Sequence, residues 1–372
     1  MKWTSQGELS EMSTRRDLFR LGSSLVLIPF LDRFGIAEAA LDSAVSPRDP
    51  LDYVNAEFRS TLKSIAPMLQ SSPPLSAATL AKNRVASARD YFPPLAKPAV
   101  AEYSVPGLAG APDVRIFVIG GSPGASKPAV LHIHGGGFVT MSAATGHRAL
   151  QELSTDLDCV VITVDYRLAP ETKFPGSLDD NYAALRWMNA NAKQLGIDLT
   201  RIAVKGESAG GGHAAALAIA VRDRGEFSFC QQVLIYPMLD DRTGSTQSVP
   251  PYIGHFVWTP EDNRFGWSSL LGVRAGAKDV PVNAVPARVS NLKGLPPTFI
   301  GVGSIDLFGS EGVDYSRRLL EAGVATELLL VPGAFHGFDI ICPNAHLTVE
   351  FKQAWTHALS SAFNLNAPKP IN

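Results

Sequence analysis

The chain has 372 residues, 45% of them hydrophobic and 18% charged, and a net charge of −2 at neutral pH. These proportions exclude a disordered polyelectrolyte, and with no basic stripe they exclude an electrostatic nucleic-acid binder. The length suits one large domain with an accessory segment, or two small domains. Cys159, Cys230 and Cys342 lie far apart and lack the CxxC or Cys/His spacing of a metal site, so buried free thiols are expected, with no metal and no cofactor.

Residues 1–40 stand apart. Thr14-Arg15-Arg16-Asp17-Leu18-Phe19-Arg20 precedes a short apolar stretch, 25–31, and Ala37-Glu38-Ala39 supplies small residues for cleavage. In that order the elements read as a twin-arginine export signal and an exported, periplasmic protein. Asp32 and Arg33 interrupt the pattern, and the alternative is an amphipathic helix retained by a cytoplasmic protein. The apolar run is too short to span a bilayer.

From 41 to 98 the chain reads as helical segments broken by prolines, including Pro73-Pro74 and Pro93-Pro94, and forms an accessory region. At Val114 the texture changes. Short apolar runs at 114–119, 129–134, 159–164, 201–205, 232–236, 298–302 and 327–331 alternate with helical patterns at 146–157, 178–195, 209–224, 311–322 and 347–363. Val160-Val161-Ile162-Thr163-Val164 is apolar on both faces, as in a strand covered by helices on either side. The alternation predicts an α/β fold with a mostly parallel, doubly wound sheet, its core running over 99–241 and 293–372. The long stretch after Tyr236-Pro237 exceeds an ordinary connection and predicts an insertion over 242–292 that covers something.

Chemistry concentrates at Gly206-Glu207-Ser208-Ala209-Gly210, between a β-branched run and an Ala-rich helical pattern. A serine on such a sharp strand-to-helix turn needs tiny neighbours two positions away on each side, and the turn exposes its hydroxyl at a helix N-terminus. A serine hydroxyl attacks only when a base takes its proton and a third group orients that base. In chain order the acid and then the histidine should follow on loops after later strands. His336 lies in the loop after the last strand, whereas His346 and His357 fall on the terminal helix. Asp306 lies one strand earlier, and its rivals Glu311 and Asp314 belong to the following helix, where solvated or capping roles are expected. His134-Gly135-Gly136-Gly137 directly follows a strand, and a glycine run there lets backbone amides approach a substrate oxygen.

Together His134 to Gly137, the elbow at Ser208, Asp165-Tyr166-Arg167-Leu168-Ala169-Pro170-Glu171 and His336-Gly337-Phe338 resemble the bacterial hormone-sensitive-lipase-like esterases, family IV of the α/β-hydrolase superfamily. The resemblance runs from about Val114 to the C-terminus. It implies an α/β-hydrolase fold, oxyanion donors at the backbone amides of Gly136, Gly137 and Ala209, and a helical cap built from 41–98 and the 242–292 insertion. Glu207 stands where that family often has Asp, and Gly309-Ser310 replaces a more usual charged pair; both departures bear on cap contacts or subfamily.

Other readings compete at several residues. His132 and His134 alternate on a strand like half a metal site, but without a third ligand a supporting role for His134 in the glycine loop is favoured. Asp165, Arg167 and Glu171 are expected to form structural ion pairs rather than an acid/base site. Phe256, Trp258 and Trp267 either line an acyl pocket or form the insertion's own small core. The resulting expectation is a cofactor-independent serine carboxylesterase for short- to medium-chain acyl esters, with Ser208, Asp306 and His336 as the triad. An amidase, deacetylase or arylformamidase would use the same parts, and a catalytically silent small-molecule receptor is the alternative of another class. The expected partner is a small-molecule ester, without nucleic acid or a stable membrane span, and a homodimer is the assembly to test.

Overall fold

In neighbouring pairs along the central strands, such as Val130/Leu131, Val161/Ile162, Ala203/Val204, Val233/Leu234 and Phe299/Ile300, the first residue joins one hydrophobic core and the second the other. All ten are fully buried. Side chains of a strand alternate between faces, so this pattern requires helices on both sides of the sheet. Each buried Val, Leu, Ile or Phe among them contributes roughly 1.5–3 kcal/mol, which fixes the strand register firmly.

The structure, a computed structural model, describes residues 48–71, 73–87 and 93–364. The expected leader over 1–40 lies outside the described residues. Helices α1 (Ala56–Ser71) and α2 (Leu80–Ser87) precede strands β1 (Val100–Val105), β2 (Val114–Ile119) and β3 (Lys127–Ile133). Then come α3 (His147–Asp156), β4 (Val160–Asp165), α4 (Gly176–Ala190), α5 (Ala192–Leu195), β5 (Ile197–Glu207), α6 (Ala209–Arg224) and β6 (Gln231–Ile235). After α7 (Pro260–Leu271) the chain completes β7 (Thr298–Gly303), α8 (Gly309–Glu321), β8 (Thr326–Val331), α9 (Phe338–Ile341) and α10 (His346–Ala362).

The eight strands are ordered β1-β2-β4-β3-β5-β6-β7-β8. β2 pairs antiparallel with both β1 and β4, and every other pairing is parallel. Residues of α3 and α10 pack on one face, and those of α4, α6 and α8 on the other. The chain winds outward from β3 to β4 and then returns to β5 on the opposite side of β3. That reversal opens a crevice at the carboxyl ends of β3 and β5, where loops are free to carry chemistry.

All seven expected strands are present, and the first, β1, was not anticipated. Only Val105 of its six residues is buried, so it carries no apolar alternation to read. The expected helix over 178–195 is two helices, because Asn191 leaves helical geometry at φ −106° and ψ 11°. In the accessory region α1 tolerates Pro67 inside it. The insertion holds α7, opened by Pro260 behind a Thr259–Asp262 capping box. It meets the N-terminal segment directly: Tyr53 stacks on Tyr252 with centroids 3.9 Å apart, and the Leu75 amide donates to Asp262 Oδ1 at 2.7 Å. Among the described residues no helix is long and apolar enough to cross a membrane.

Candidate active site

Ser208 leaves β5 with φ 56° and ψ −121°, a backbone state that costs a non-glycine residue about 1–3 kcal/mol. Its surroundings hold it there. The Ser208 amide donates to Ile235 O at 2.9 Å, and Ser208 O accepts from the amides of Met238 and Gly212 at 3.0 and 3.1 Å. A Cβ on Gly206 would collide with the Gly210 carbonyl, and one on Gly210 with the carbonyls of Ile133 and His134. The small residues around the serine are therefore a steric requirement of the turn.

The expected partners converge on its hydroxyl. His336 Nε2 lies 3.0 Å from Ser208 Oγ, and His336 Nδ1 lies 2.9 Å from Asp306 Oδ2. Asp306 Oδ1 accepts from the Phe308 amide at 2.9 Å, which fixes the carboxylate plane. All three residues are buried. The loops after β7 and β8 are tied together, with the Ser304 amide on Val331 O, the Ile305 amide on Ala334 O and the Gly333 amide on Ser304 Oγ. Edge contacts from Tyr236 and Phe308, centroids 4.7 and 5.1 Å away, set the plane of the His336 ring.

Beside Ser208 runs the loop after β3. A Cβ on Gly135 would sit 3.4 Å from that of Ser208, so the glycine run passes against the elbow. Gly136 and Gly137 adopt φ 107° and 59°, and the Gly136 carbonyl accepts from the amides of Val139 and Thr140 and from Thr140 Oγ1. Ala209 opens α6, whose N-terminal amides and dipole favour negative charge at this spot. Trp258 covers Gly137, where any Cβ would collide with its six-membered ring, and its indole lies 6.3 Å from the His336 ring. Of the three aromatic residues flagged in the insertion, Trp258 lines the site, while Trp267 is fully buried against Phe138 and Phe256 meets Phe335.

The remaining flagged residues separate cleanly. Asp165 pairs with Arg115, Arg167 with Asp180 and Glu171 with Arg84, each at 2.7 Å. His346 is exposed, and so is His357. Asp314 is exposed and pairs with Arg317. Glu311 departs from the solvated or capping role expected of it. It is buried, and its Oε2 accepts from the amides of Leu239 and Asp240. Burial, with Asp240 nearby, pushes its carboxyl well above the usual range.

His132 and His134 also part company. His132 lies between Thr163 Oγ1 and Glu207 Oε2, each 2.8 Å away. Glu207 also pairs with the buried Lys205, so its side chain braces β3 and β5. Burial lowers Lys205 to about 8 against the pull of Asp339. His134 stacks on Tyr166 at 4.2 Å and hydrogen-bonds Gly135 O through Nδ1, supporting the glycine loop. His213, which the sequence did not flag, packs edge-on against Tyr166 and Phe138. Burial holds His134 down to about 4 and His213 to about 3. A polar residue inside the Ala-rich run of α6 was the available signal.

A family model described as the α/β hydrolase fold matches residues 130–340. The chain belongs to the α/β-hydrolase family. Within this family it is one of the hormone-sensitive-lipase-like esterases. It is 35% identical over 243 residues to Esterase LipI of Mycobacterium tuberculosis, an alignment covering 64% of this chain and 74% of that one. To an ethyl acetate hydrolase of Pseudomonas putida it is 33% identical, over 58% and 67% of the two chains. Among solved structures, a bacterial heroin esterase superposes with a TM-score of 0.74 at 34% identity, covering 85% of this chain and 99% of that one.

Proposed function

We propose that this hydrolase is a serine carboxylesterase in which Ser208 is the nucleophile, His336 the general base and Asp306 its orienting acid. The observation that carries the assignment is the unbroken series from Asp306 Oδ2 through both ring nitrogens of His336 to Ser208 Oγ, at 2.9 and 3.0 Å. His336 Nε2 takes the hydroxyl proton as Oγ attacks the ester carbonyl. Asp306 accepts from Nδ1, holds the productive tautomer and stabilises the imidazolium that forms. The carbonyl oxygen becomes an oxyanion between the amides of Gly136, Gly137 and Ala209 at the positive end of α6. Collapse expels the alcohol, protonated by His336, and a water activated by the same imidazole then releases the acid.

The N-terminal segment and the insertion act together as the cap. Their mutual contacts through Tyr53–Tyr252 and Leu75–Asp262 support a single cover, and Trp258 over Gly137 limits the acyl side to short and medium chains. The test is hydrolysis of p-nitrophenyl acetate and butyrate by Ser208→Ala. Loss of about 10⁴-fold or more in kcat is expected; turnover near wild type would contradict the assignment.

A further inference from the structure

The glycine loop beside Ser208 does not hold its shape alone. Beyond Gly136 and Gly137, Phe138 and Met141 also lie in the left-handed region, at φ 68° and 66°, where a side chain crowds its own backbone. Such a conformation persists only when its surroundings over-determine it. Part of that support comes from the N-terminal helix α2. Arg84 Nε donates to Val139 O at 2.8 Å, and Ser87 Oγ accepts from the Met141 amide at 3.3 Å.

The same guanidinium reaches the loop after β4. Arg84 Nη2 donates to Ala169 O at 2.9 Å, and the fork grips Glu171 at 2.8 and 2.7 Å. Ala169 closes the ring by donating its amide to Phe138 O at 2.9 Å. One planar, permanently charged group thus fixes two loops that the strand ends leave free, a task suited to its fork of donors and poorly suited to an ammonium.

We propose that Arg84 is a positioning residue for the oxyanion donors, so that turnover at Ser208 depends on α2 being docked as well as on the triad. The proposal rests on reading Ser208 as the nucleophile, with Gly136 and Gly137 as donors to the oxyanion that its attack creates. Charge develops on the substrate oxygen only as the bond to Ser208 forms, so a displaced donor weakens the transition state more than the bound ester. A helix that merely walls the pocket would act on KM instead.

The test uses the full chain, with kcat and KM for p-nitrophenyl acetate and inhibition by phenylboronic acid, whose tetrahedral adduct needs the oxyanion donors. Arg84→Ala is expected to lower kcat by ~10- to 100-fold, a part of the ~10²- to 10³-fold lost when a whole donor is removed. KM stays within ~3-fold, boronate inhibition weakens in step with kcat, and millimolar guanidinium chloride restores several-fold activity to the variant while leaving wild type unchanged. Arg84→Lys, which keeps the charge beside Glu171, falls in between and carries the same comparison should Arg84→Ala fail to fold. A rise in KM at constant kcat, or a loss of kcat without weaker boronate inhibition and without guanidinium rescue, would overturn the proposal. Full turnover by Ser208→Ala would instead remove the reading on which it rests.

Discussion

The strand-end face and the segments that cover it are built on different principles. At the elbow, backbone packs on backbone: Gly206 and Gly210 have no room for a Cβ, and the amide and carbonyl of Ser208 are tied to Ile235, Met238 and Gly212. The segments over it rely more on side chains, among them Tyr53 on Tyr252, Asp262 to the Leu75 amide, and Arg84 to Val139, Ala169 and Glu171, with backbone bonds such as Asn55 N–H to Gly333 O and Gly254 N–H to Ile305 O beside them. Backbone constraints admit almost no substitution, whereas side-chain ties can be exchanged one at a time. On the proposed reading, the chemistry is therefore rigid and the specificity adjustable.

The sharpest way to break this contrast is Gly210→Ala. The added methyl meets the carbonyls of Ile133 and His134, neither of which can rotate away, so a stability loss of about 3 kcal/mol or more and loss of esterase turnover are expected. Chemical denaturation alongside turnover checks it, and a variant as stable and active as wild type would show that the turn has slack.

A smaller effect is expected from the buried imidazoles under the glycine loop. The folded His213 titrates at about 3 and His134 at about 4, against an ordinary value of 6.5. Between those values and 6.5 the unfolded chain binds protons that the folded chain refuses. Their stabilising contribution is thus complete above about pH 6.5 and is lost as the pH falls through that window. His213→Leu, which also removes an Nε2 without a partner among the described residues, should lose about 2 kcal/mol less stability than wild type between pH 7 and 5. Superimposable pH–stability curves would refute the buried neutral assignment.

The mildest change belongs to the covering side. Trp258→Ala opens the space over Gly137 and is expected to shift kcat/KM toward longer acyl chains by roughly 10-fold, a hydrophobic-pocket effect of ~1–3 kcal/mol. A series of p-nitrophenyl esters from acetate to decanoate measures it. An unchanged chain-length profile would move the acyl pocket elsewhere.

The same contrast explains what could be read from the chain. The meeting of Ser208, His336 and Asp306 was legible because local geometry marks such positions, a turn that tolerates only small neighbours or a loop just past a strand, whereas Gly136 and Gly137 were singled out as donors by the family resemblance. The parallel strands were legible because both their faces are apolar. β1 was not, because an edge strand with a single buried residue leaves no pattern. Nor was the burial of Glu311, whose two amide donors at Leu239 and Asp240 lie some seventy residues earlier in the chain. Arg84 and Glu171 are 87 residues apart, and Arg84 looks like any other charge on a short helix. Glu207 was visible as a departure from the family, but its partners His132 and Lys205 came only with the pairing of β3 and β5.

In the proposed mechanism one hydroxyl, aimed by the elbow, carries the reaction. Incubating the full chain with an organophosphate such as paraoxon, and locating the adduct by peptide mass spectrometry, addresses it most directly. One diethylphosphoryl group per chain is expected, on Ser208, formed in step with the loss of esterase activity and absent from Ser208→Ala. Undiminished activity after complete labelling of Ser208, or inactivation with the adduct on another residue, would contradict it.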